Sequence, residues 1–478
     1  MKRQEGESCC SGAQAALVKG LGLFDATAIV VGSMIGSGIF IVSADMAAKL
    51  QSPIWLLAAW SLSALVTVLG ALAYGELAAA MPHAGGQYVY LREAYGPLAG
   101  FLYGWTLFFV IQTGTIAAVA VAFAKFLNAF VPFVRLEPEW TLLQLGAWKW
   151  QLSSGQIVAI GVILFLGAVN CLGIRWGAVI QNFFTTAKTM GVLGLIALAL
   201  SYGKGDWANL SAAPPAGSPA LDAWSLSFFF LFGGALVGSL FSSDAWNNIT
   251  FTAGEVKNPS RNLPLALAIG TLLVNSLYLL ANFGYLHVMS LPEIMAFNEQ
   301  QKPQTLTLGV QVISTVAGEG WGRILMLAIL CSTFGCINGL SLAGARVYYA
   351  MAKDGIFFRR LGDIHPRFHT PVKALFAQVL MAGVLALSGK YNELLDLVMF
   401  AVMVFYVLTV AGLFILRRKR PEMERPYKAV GYPLLPGIYI LAASVISLAM
   451  LKQNPYALPG LLLTLAGIPF YYLWRRKS

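Results

Sequence analysis

Apolar residues run along this chain in twelve long blocks separated by short polar stretches. Each block is near the length needed to cross a hydrocarbon core about 30 Å thick. The blocks cover approximately 22–46, 54–80, 97–127, 155–174, 178–201, 225–250, 262–288, 321–350, 373–388, 391–416, 433–451 and 457–474, the ninth being short. The pattern predicts an all-α polytopic membrane protein with twelve transmembrane helices. Two blocks are interrupted by residues that do not sustain a helix. The first holds Gly32-Ser33-Met34-Ile35-Gly36-Ser37-Gly38-Ile39-Phe40, where three glycines and two serines stand together. The sixth holds Phe241-Ser242-Ser243-Asp244-Ala245-Trp246-Asn247-Asn248 after a glycine-rich approach. Bare backbone at mid-bilayer survives only where protein or a water-filled cavity satisfies it. Both interruptions therefore predict breaks around a polar ligand. Blocks one and six run in opposite directions and lie five helices apart, which points to an inverted repeat with a central binding site. Taken alone, Gly32 and Gly36 would fit close helix packing; the polar break in block six argues against that simpler reading.

Composition agrees with the pattern. The chain is 58% hydrophobic and 11% charged, with a mean hydropathy of +0.70. A soluble domain usually carries about 25% charged residues. The net charge of +11 would suggest nucleic acid in a soluble protein. Here its distribution matters more. Most of the 32 lysines and arginines fall in alternate loops, in runs such as Lys353 to Lys373, Arg417 to Lys428 and Arg475 to Lys477. The positive-inside rule then sets both termini in the cytoplasm, and the run Arg417 to Arg420 reads as an inner-leaflet anchor contacting membrane lipids. The first apolar block starts late and is too long for a cleaved signal. None of the five cysteines (Cys9, Cys10, Cys171, Cys331 and Cys336) falls in a loop expected outside, so no disulfide framework is implied. No loop leaves room for a nucleotide-binding domain and no GxxxxGK[ST] is present, so transport would draw on a gradient or on exchange. His83, His287, His365 and His369 show no metal-ligand spacing and read as cytoplasmic-loop residues; neither metal nor cofactor is expected.

The chemistry of the breaks follows from the backbone. A helix restarting near Ser37 aims the amides of Ser37, Gly38 and Ile39, and its positive dipole end, at the cavity, where they suit a carboxylate. Half-helices ending near Ile35 and Phe241 present carbonyls that suit an ammonium group. An α-amino acid carries both groups one carbon apart. Its side chain would point toward the rest of block six and into blocks three and eight.

The motifs Gly36-Ser37-Gly38-Ile39-Phe40, Gly75-Glu76-Leu77 and Pro82-His83-Ala84-Gly85-Gly86-Gln87-Tyr88-Val89-Tyr90-Leu91 resemble the amino acid, polyamine and organocation transporter superfamily. Within it, Asp244-Ala245-Trp246-Asn247-Asn248, the run Glu255 to Pro264, Asn338-Gly339, Arg346 to Gly355 and Arg425-Pro426-Tyr427-Lys428 are similar to the L-amino acid transporter family. The resemblance spans nearly the whole chain. It implies a leucine-transporter-like fold of two five-helix repeats, 22–201 and 225–416, followed by two extra helices in 433–474. These lie between a cytoplasmic segment, 1–21, and a tail, 475–478. It also implies sodium-independent amino acid transport, often by obligatory exchange. Ile35, Ser37 and Gly38 match the family's backbone site for the amino and carboxyl groups, and Phe241 matches its aromatic gate. Ser242 and Ser243 continue the unwound stretch. Asn247 matches a polar residue that ties the broken helices together. One departure is clear: members linked to a heavy chain carry a cysteine in the outer loop after helix three, and residues 128–154 have none. No disulfide-linked partner is expected.

Lys188 lies ten residues into block five, about 15 Å deep at 1.5 Å per residue, where a lysine costs about 2.5–3.5 kcal/mol. Phe184-Thr185-Thr186-Ala187-Lys188 is similar to the family's helix-five motif, whose lysine replaces a sodium ion and contacts helices one and eight. Its partner on helix eight would be Ser332 or Thr333. The plainer reading is a lysine snorkelling to an interface. Asp244 is the other buried charge, either a ligand for a cationic or hydroxylated substrate or the cap of the restarting helix. Glu255, Lys257 and Arg261 read as gate salt bridges or solvated loop charges. The expected function is secondary active transport of neutral L-amino acids across a plasma or inner membrane, by exchange or proton-coupled uptake. A carrier of cationic amino acids or amines is the alternative, and a non-transporting receptor or sensor is the reading from another class.

Overall fold

A computed structural model describes residues 17–135, 137–145, 148–201, 205–211, 225–300, 306–387, 391–453 and 457–475. Cys9, Cys10, Arg476 and Lys477, with most of segment 1–21 and of the tail 475–478, lie outside the described residues. In chain order the helices are α1 (Leu23–Met34), α2 (Gly38–Leu50), α3 (Pro53–Ala80), α4 (Gln87–Tyr95), α5 (Pro97–Thr106) and α6 (Gln112–Asn128). A hairpin of β1 (Trp140–Leu145) and β2 (Trp148–Leu152) leads into α7 (Ser154–Cys171) and α8 (Ile174–Ser201). Then come α9 (Leu226–Ser242), α10 (Asn248–Phe251), α11 (Pro259–Val288), α12 (Leu291–Gln300), α13 (Leu308–Ala317) and α14 (Glu319–Lys353). The chain closes with α15 (Val372–Ala386), α16 (Tyr391–Lys419), α17 (Leu434–Gln453), α18 (Ala457–Leu465) and α19 (Gly467–Arg475).

Nine stretches among the described residues are long and apolar enough to cross a bilayer. They correspond to nine of the twelve expected blocks; blocks six, nine and twelve appear as the shorter apolar helices Leu226–Ser242, Val372–Ala386 and Leu458–Trp474. The molecule is a multi-pass, all-helical membrane protein apart from its one described hairpin. Its surface is inverted relative to a soluble protein. Helices α7 and α8 expose Leu164, Phe165, Val179, Phe183 and Met190 while burying Gln181, Thr185 and Lys188. An apolar exterior over a polar interior is what lipid selects.

Local chemistry sets many of the helix starts. Ser153 caps α7 reciprocally with Gln156, and Ser225 and Thr307 cap α9 and α13 by accepting from Phe228 N and Val310 N at 3.1 and 3.2 Å. Pro53, Pro97 and Pro259 stand at the first helical position of α3, α5 and α11, where no amide is needed. The motif glycines 85 and 86 have φ of +102° and +43°. A Cβ on Gly86 would lie 2.3 Å from Thr250 Oγ1 and 2.6 Å from its carbonyl carbon, so the turn before α4 packs directly on the end of α10.

The hairpin, and α12 and α13 in the loop after α11, are elements that the apolar pattern did not predict. The expectation of four histidines in loops fails at His287. That residue is buried in the last turn of α11, its ring stacked on Trp207 at 4.1 Å between centroids. The lipid-anchor reading of Arg417 to Arg420 is also corrected for three of the four side chains. Arg417 forks onto the buried Glu76 at 2.9 and 2.6 Å, Arg420 pairs with Glu93 at 2.5 Å, and Lys419 donates to Ala94 O at 3.0 Å. These charges hold α16 to α3 and α4.

Candidate functional site

Both expected interruptions are breaks in the helix. α1 ends at Met34, residues 35–37 are non-helical, and α2 begins at Gly38. α9 ends at Ser242, and regular helix resumes only for the single turn of α10. Between them Ala245 has φ of +64°, a conformation that costs a residue bearing a Cβ about 1–3 kcal/mol and that gathers at functional sites. The two breaks touch. A Cβ on Gly38 would fall 2.2 Å from Ser242 Oγ and 2.9 Å from Ser242 Cβ, so only glycine permits this approach.

The carbonyls of the first break were expected to be open. They already have donors. Lys188 Nζ, 1% exposed, donates to Gly32 O at 2.5 Å and Ile35 O at 2.7 Å, and reaches Ser332 O at 3.5 Å. Ser332 Oγ reaches Ile35 O and Gly36 O at 3.0 and 3.1 Å, and Cys336 Sγ donates to Ser33 O at 3.2 Å. A side-chain ammonium thus sits where α1 unwinds, joining α8 and α14 to it. Snorkelling does not describe this lysine. Of the two candidates on α14, Ser332 faces the break, while Thr333 Oγ1 turns back to Ile329 O and Leu330 O within its own helix. The approach of α8 is itself a glycine effect: a Cβ on Gly32 would lie 1.9 Å from Gln181 Nε2 and 2.3 Å from Thr185 Oγ1.

The link between the two broken helices is not Asn247. Its Nδ2 donates to Gln87 Oε1 at 2.8 Å, and Gln87 Nε2 donates to Thr409 Oγ1 at 3.0 Å, so Asn247 ties the second break to α4 and α16. The residue that joins the breaks is Tyr278 of α11. Its hydroxyl lies 3.1 Å from Met34 O and 3.2 Å from Ser242 O, the last carbonyls of α1 and α9. Sequence reasoning missed it because a tyrosine inside an apolar block carries no positional signal. Tyr285, two turns on, reaches Ile39 O at 3.3 Å.

Asp244 does not cap the restarting helix. Asn247 occupies that position, and no side chain caps α10. Instead Asp244, 8% exposed, accepts from Tyr406 OH at 2.6 Å. Ser243 Oγ and Asn275 Oδ1 are 3.0 Å apart, and Ser242 Oγ donates to Gly238 O at 2.8 Å. Phe241, Ile35 and Ile39 are buried beside the breaks. Trp246 packs edge-on against Tyr74 at 4.8 Å between centroids. A cavity of about 20 Å³ opens beyond the second break, walled by Asp244, Asn248, Gln112, Thr115, Tyr103 and Tyr406 among others.

Glu255 resolves as one half of a buried pair. Arg346 Nε and Nη2 donate to its two carboxylate oxygens at 2.8 and 3.1 Å, with both side chains essentially inaccessible. The backbone of the same residue accepts from Gly20 N and Leu21 N at 2.9 and 3.0 Å, and Lys257 N donates to Leu21 O at 2.8 Å. Lys257 and Arg261 side chains are exposed.

Lipid-facing helices that come apart around polar backbone, cross-tied by a buried lysine and joined by a buried ion pair, fit the class of polytopic membrane transporters. The chain belongs to the amino acid permease family of the amino acid, polyamine and organocation superfamily, whose profile matches residues 21–465. It is 30% identical over 470 residues to the serine/threonine exchanger SteT of Bacillus subtilis (strain 168), covering 97% of this chain and 98% of that one. It is 31% identical over 486 residues to the human b(0,+)-type amino acid transporter 1, covering 99% and 92% of the two chains. Against the mouse large neutral amino acids transporter small subunit 2 it is 31% identical over 481 residues, covering 99% and 85%. Family and relatives are transporters, not enzymes.

Proposed function

We propose that this protein exchanges neutral L-amino acids across a cell membrane by alternating access, without sodium. Residues 22–201 and 225–416 form the two inverted five-helix repeats in this reading. Residues 433–474 add two helices, giving twelve spans with both termini in the cytoplasm. The substrate lies between the breaks: its carboxylate on the first-turn amides of α2 around Ser37, Gly38 and Ile39, its ammonium toward the carbonyl at Phe241 and toward Ile35 O, which it shares with Lys188 and Ser332, and Phe241 closing over it. First-turn amides have no intrahelical acceptor, which suits them to an anion. Ser242, Ser243 and Asp244 line the other side.

The single observation that supports this best is Lys188. An ammonium with two carbonyl oxygens of the first break at 2.5 and 2.7 Å supplies a fixed positive charge there, so a bound metal cation is not needed to hold the unwound backbone. Ser332 completes the same cross-tie, and Asn247 anchors the second break. The absence of cysteine from 128–154 supports function without a disulfide-linked heavy chain. The relatives' names describe a serine/threonine exchanger, a b(0,+)-type amino acid transporter and a large neutral amino acids transporter subunit, which favours an amino acid substrate and, through the first of them, exchange.

Counterflow into proteoliposomes, with labelled amino acids tested singly against an internal excess, is the test. Uptake that requires internal amino acid and ignores sodium is the expected result. Net uptake into empty vesicles driven by an imposed pH gradient would replace exchange with proton symport. Asp244 favours one second reading, transport of cationic amino acids, because its carboxylate walls the cavity. Failure of lysine and arginine to compete would eliminate that reading.

A further inference from the structure

The cavity beyond the second break has its own hydrogen-bond ledger. Most polar side chains around it are already engaged. Gln112 Nε2 donates to Leu340 O at 2.7 Å, Thr115 Oγ1 to Ile111 O at 2.7 Å, and Tyr406 OH to Asp244 Oδ1 at 2.6 Å. Two capacities remain. Asn248 Nδ2 is buried and makes no hydrogen bond to any described residue. Asp244 engages the Tyr406 hydroxyl and the Ala245 backbone amide, although a carboxylate offers about four lone-pair sites. A buried amide donor left unpaired is destabilising, so a ligand atom that accepts from it is favoured. The site therefore holds one unused donor and one under-used acceptor in the walls of the same small chamber.

The backbone of the facing wall is deformed to make this space. Between α5 and α6, residues Leu107–Ile111 form a single wide turn, the kind of bulge that recurs at functional sites. The displaced carbonyls are taken up by Thr113 Oγ1 on Phe108 O at 2.6 Å and Tyr348 OH on Leu107 O at 3.3 Å. Leu107, Ile111 and Gln112 face the chamber.

We propose that Asp244 and Asn248 form a side-chain subsite selective for amino acids whose side chain both donates and accepts a hydrogen bond, namely a hydroxyl or carboxamide. This rests on the exchange reading above. A hydroxyl donates to Asp244 and accepts from Asn248 Nδ2. A carboxamide does both with separate atoms. An ammonium or guanidinium satisfies Asp244 but has no acceptor for the Asn248 donor. An aliphatic side chain leaves both unpaired, and a site built for hydrogen bonding rejects such an analogue strongly. At about 20 Å³ the chamber holds one water-sized group, so small polar ends suit this closed state best.

The experiment compares matched pairs in counterflow with the full chain in proteoliposomes: serine against alanine, threonine against valine, asparagine against leucine. The wild-type protein is expected to favour the polar member of each pair by at least tenfold in apparent affinity. Asn248→Ala, which removes the donor and adds no bulk, is expected to collapse each ratio toward one, and Asn248→Ser to restore part of it. Asn248→Asp is expected to shift preference toward lysine. Wild-type ratios near or below one overturn the subsite. So do ratios that survive Asn248→Ala unchanged. If no amino acid exchanges on the wild-type protein, the transport reading itself falls, a result distinct from exchange that proceeds without the predicted selectivity.

Discussion

Replacing Lys188 tests the cross-tie at the first break most directly. Lys188→Met keeps the length and bulk of the side chain but removes the ammonium. Hydrogen bonds to a charged group contribute about 1.5–3 kcal/mol each, so the two short bonds represent about 3–6 kcal/mol before other effects. Much of that is offset, because burying an ammonium itself costs several kcal/mol. Ile35 O keeps the Ser332 hydroxyl at 3.0 Å, so the residual loss falls on Gly32 O, an unpaired carbonyl worth about 1–3 kcal/mol. Thermal stability in detergent should therefore fall by no more than that residual. Substrate affinity should fall about 5- to 150-fold if that energy appears in binding, since 1.4 kcal/mol is tenfold. Counterflow with apparent affinities measured from each side reads this out. In Lys188→Ala, which also removes the bulk, added sodium should recover part of the lost exchange by supplying a cation to the same carbonyls. Unchanged rates and affinities on both sides in Lys188→Met would refute the role given to this lysine.

Tyr278→Phe deletes the hydroxyl shared by Met34 O and Ser242 O; a loss of about 1 kcal/mol in stability, with slower exchange, is expected from thermal melts and counterflow. Glu255→Gln leaves Arg346 buried without its counter-charge, a change expected to cost about 3–5 kcal/mol and to lower the melting temperature sharply. Retention of the wild-type melting temperature would show that the pair is not the closed contact described here. Gly38→Ala should abolish exchange through a clash with Ser242 Oγ at 2.2 Å, and Gly38→Ala with Ser242→Gly should recover part of it. Exchange retained in Gly38→Ala alone would mean that the breaks do not approach this closely.

Length and composition carried the spans into the sequence, because lipid imposes both on every crossing helix. The breaks were legible for the same reason, since Gly36-Ser37-Gly38 and Ser242-Ser243-Asp244 contradict their apolar surroundings. Lys188 stood out as a charge at depth. What the pattern could not reveal is pairing across the chain. Tyr278 lies 244 residues from Met34, and nothing local distinguishes it from Tyr285 or Tyr348. Arg417 looked like one member of a basic run until the fold brought Glu76 to it. Analogy and cap rules point Asn247 to the other broken helix and Asp244 to its own restarting turn, yet their partners, Gln87 and Tyr406, come from helices far away in sequence. The hairpin after α6 was hidden because its alternation is short and its Trp-rich strands resemble interfacial loop.

The short strand-like stretch at Gly20 and Leu21 bears on how that end of the molecule would open under the alternating-access proposal. Its three main-chain bonds run to Glu255 and Lys257, and the carboxylate of the same Glu255 grips Arg346 on α14. One residue is thus the rivet for the leader of α1, the stretch following α10, and α14. Swinging α1 outward peels the leader from Glu255, and the strain of peeling falls on the arginine fork as well. Release at that end should accordingly be all-or-none, with main-chain and side-chain fasteners giving way together.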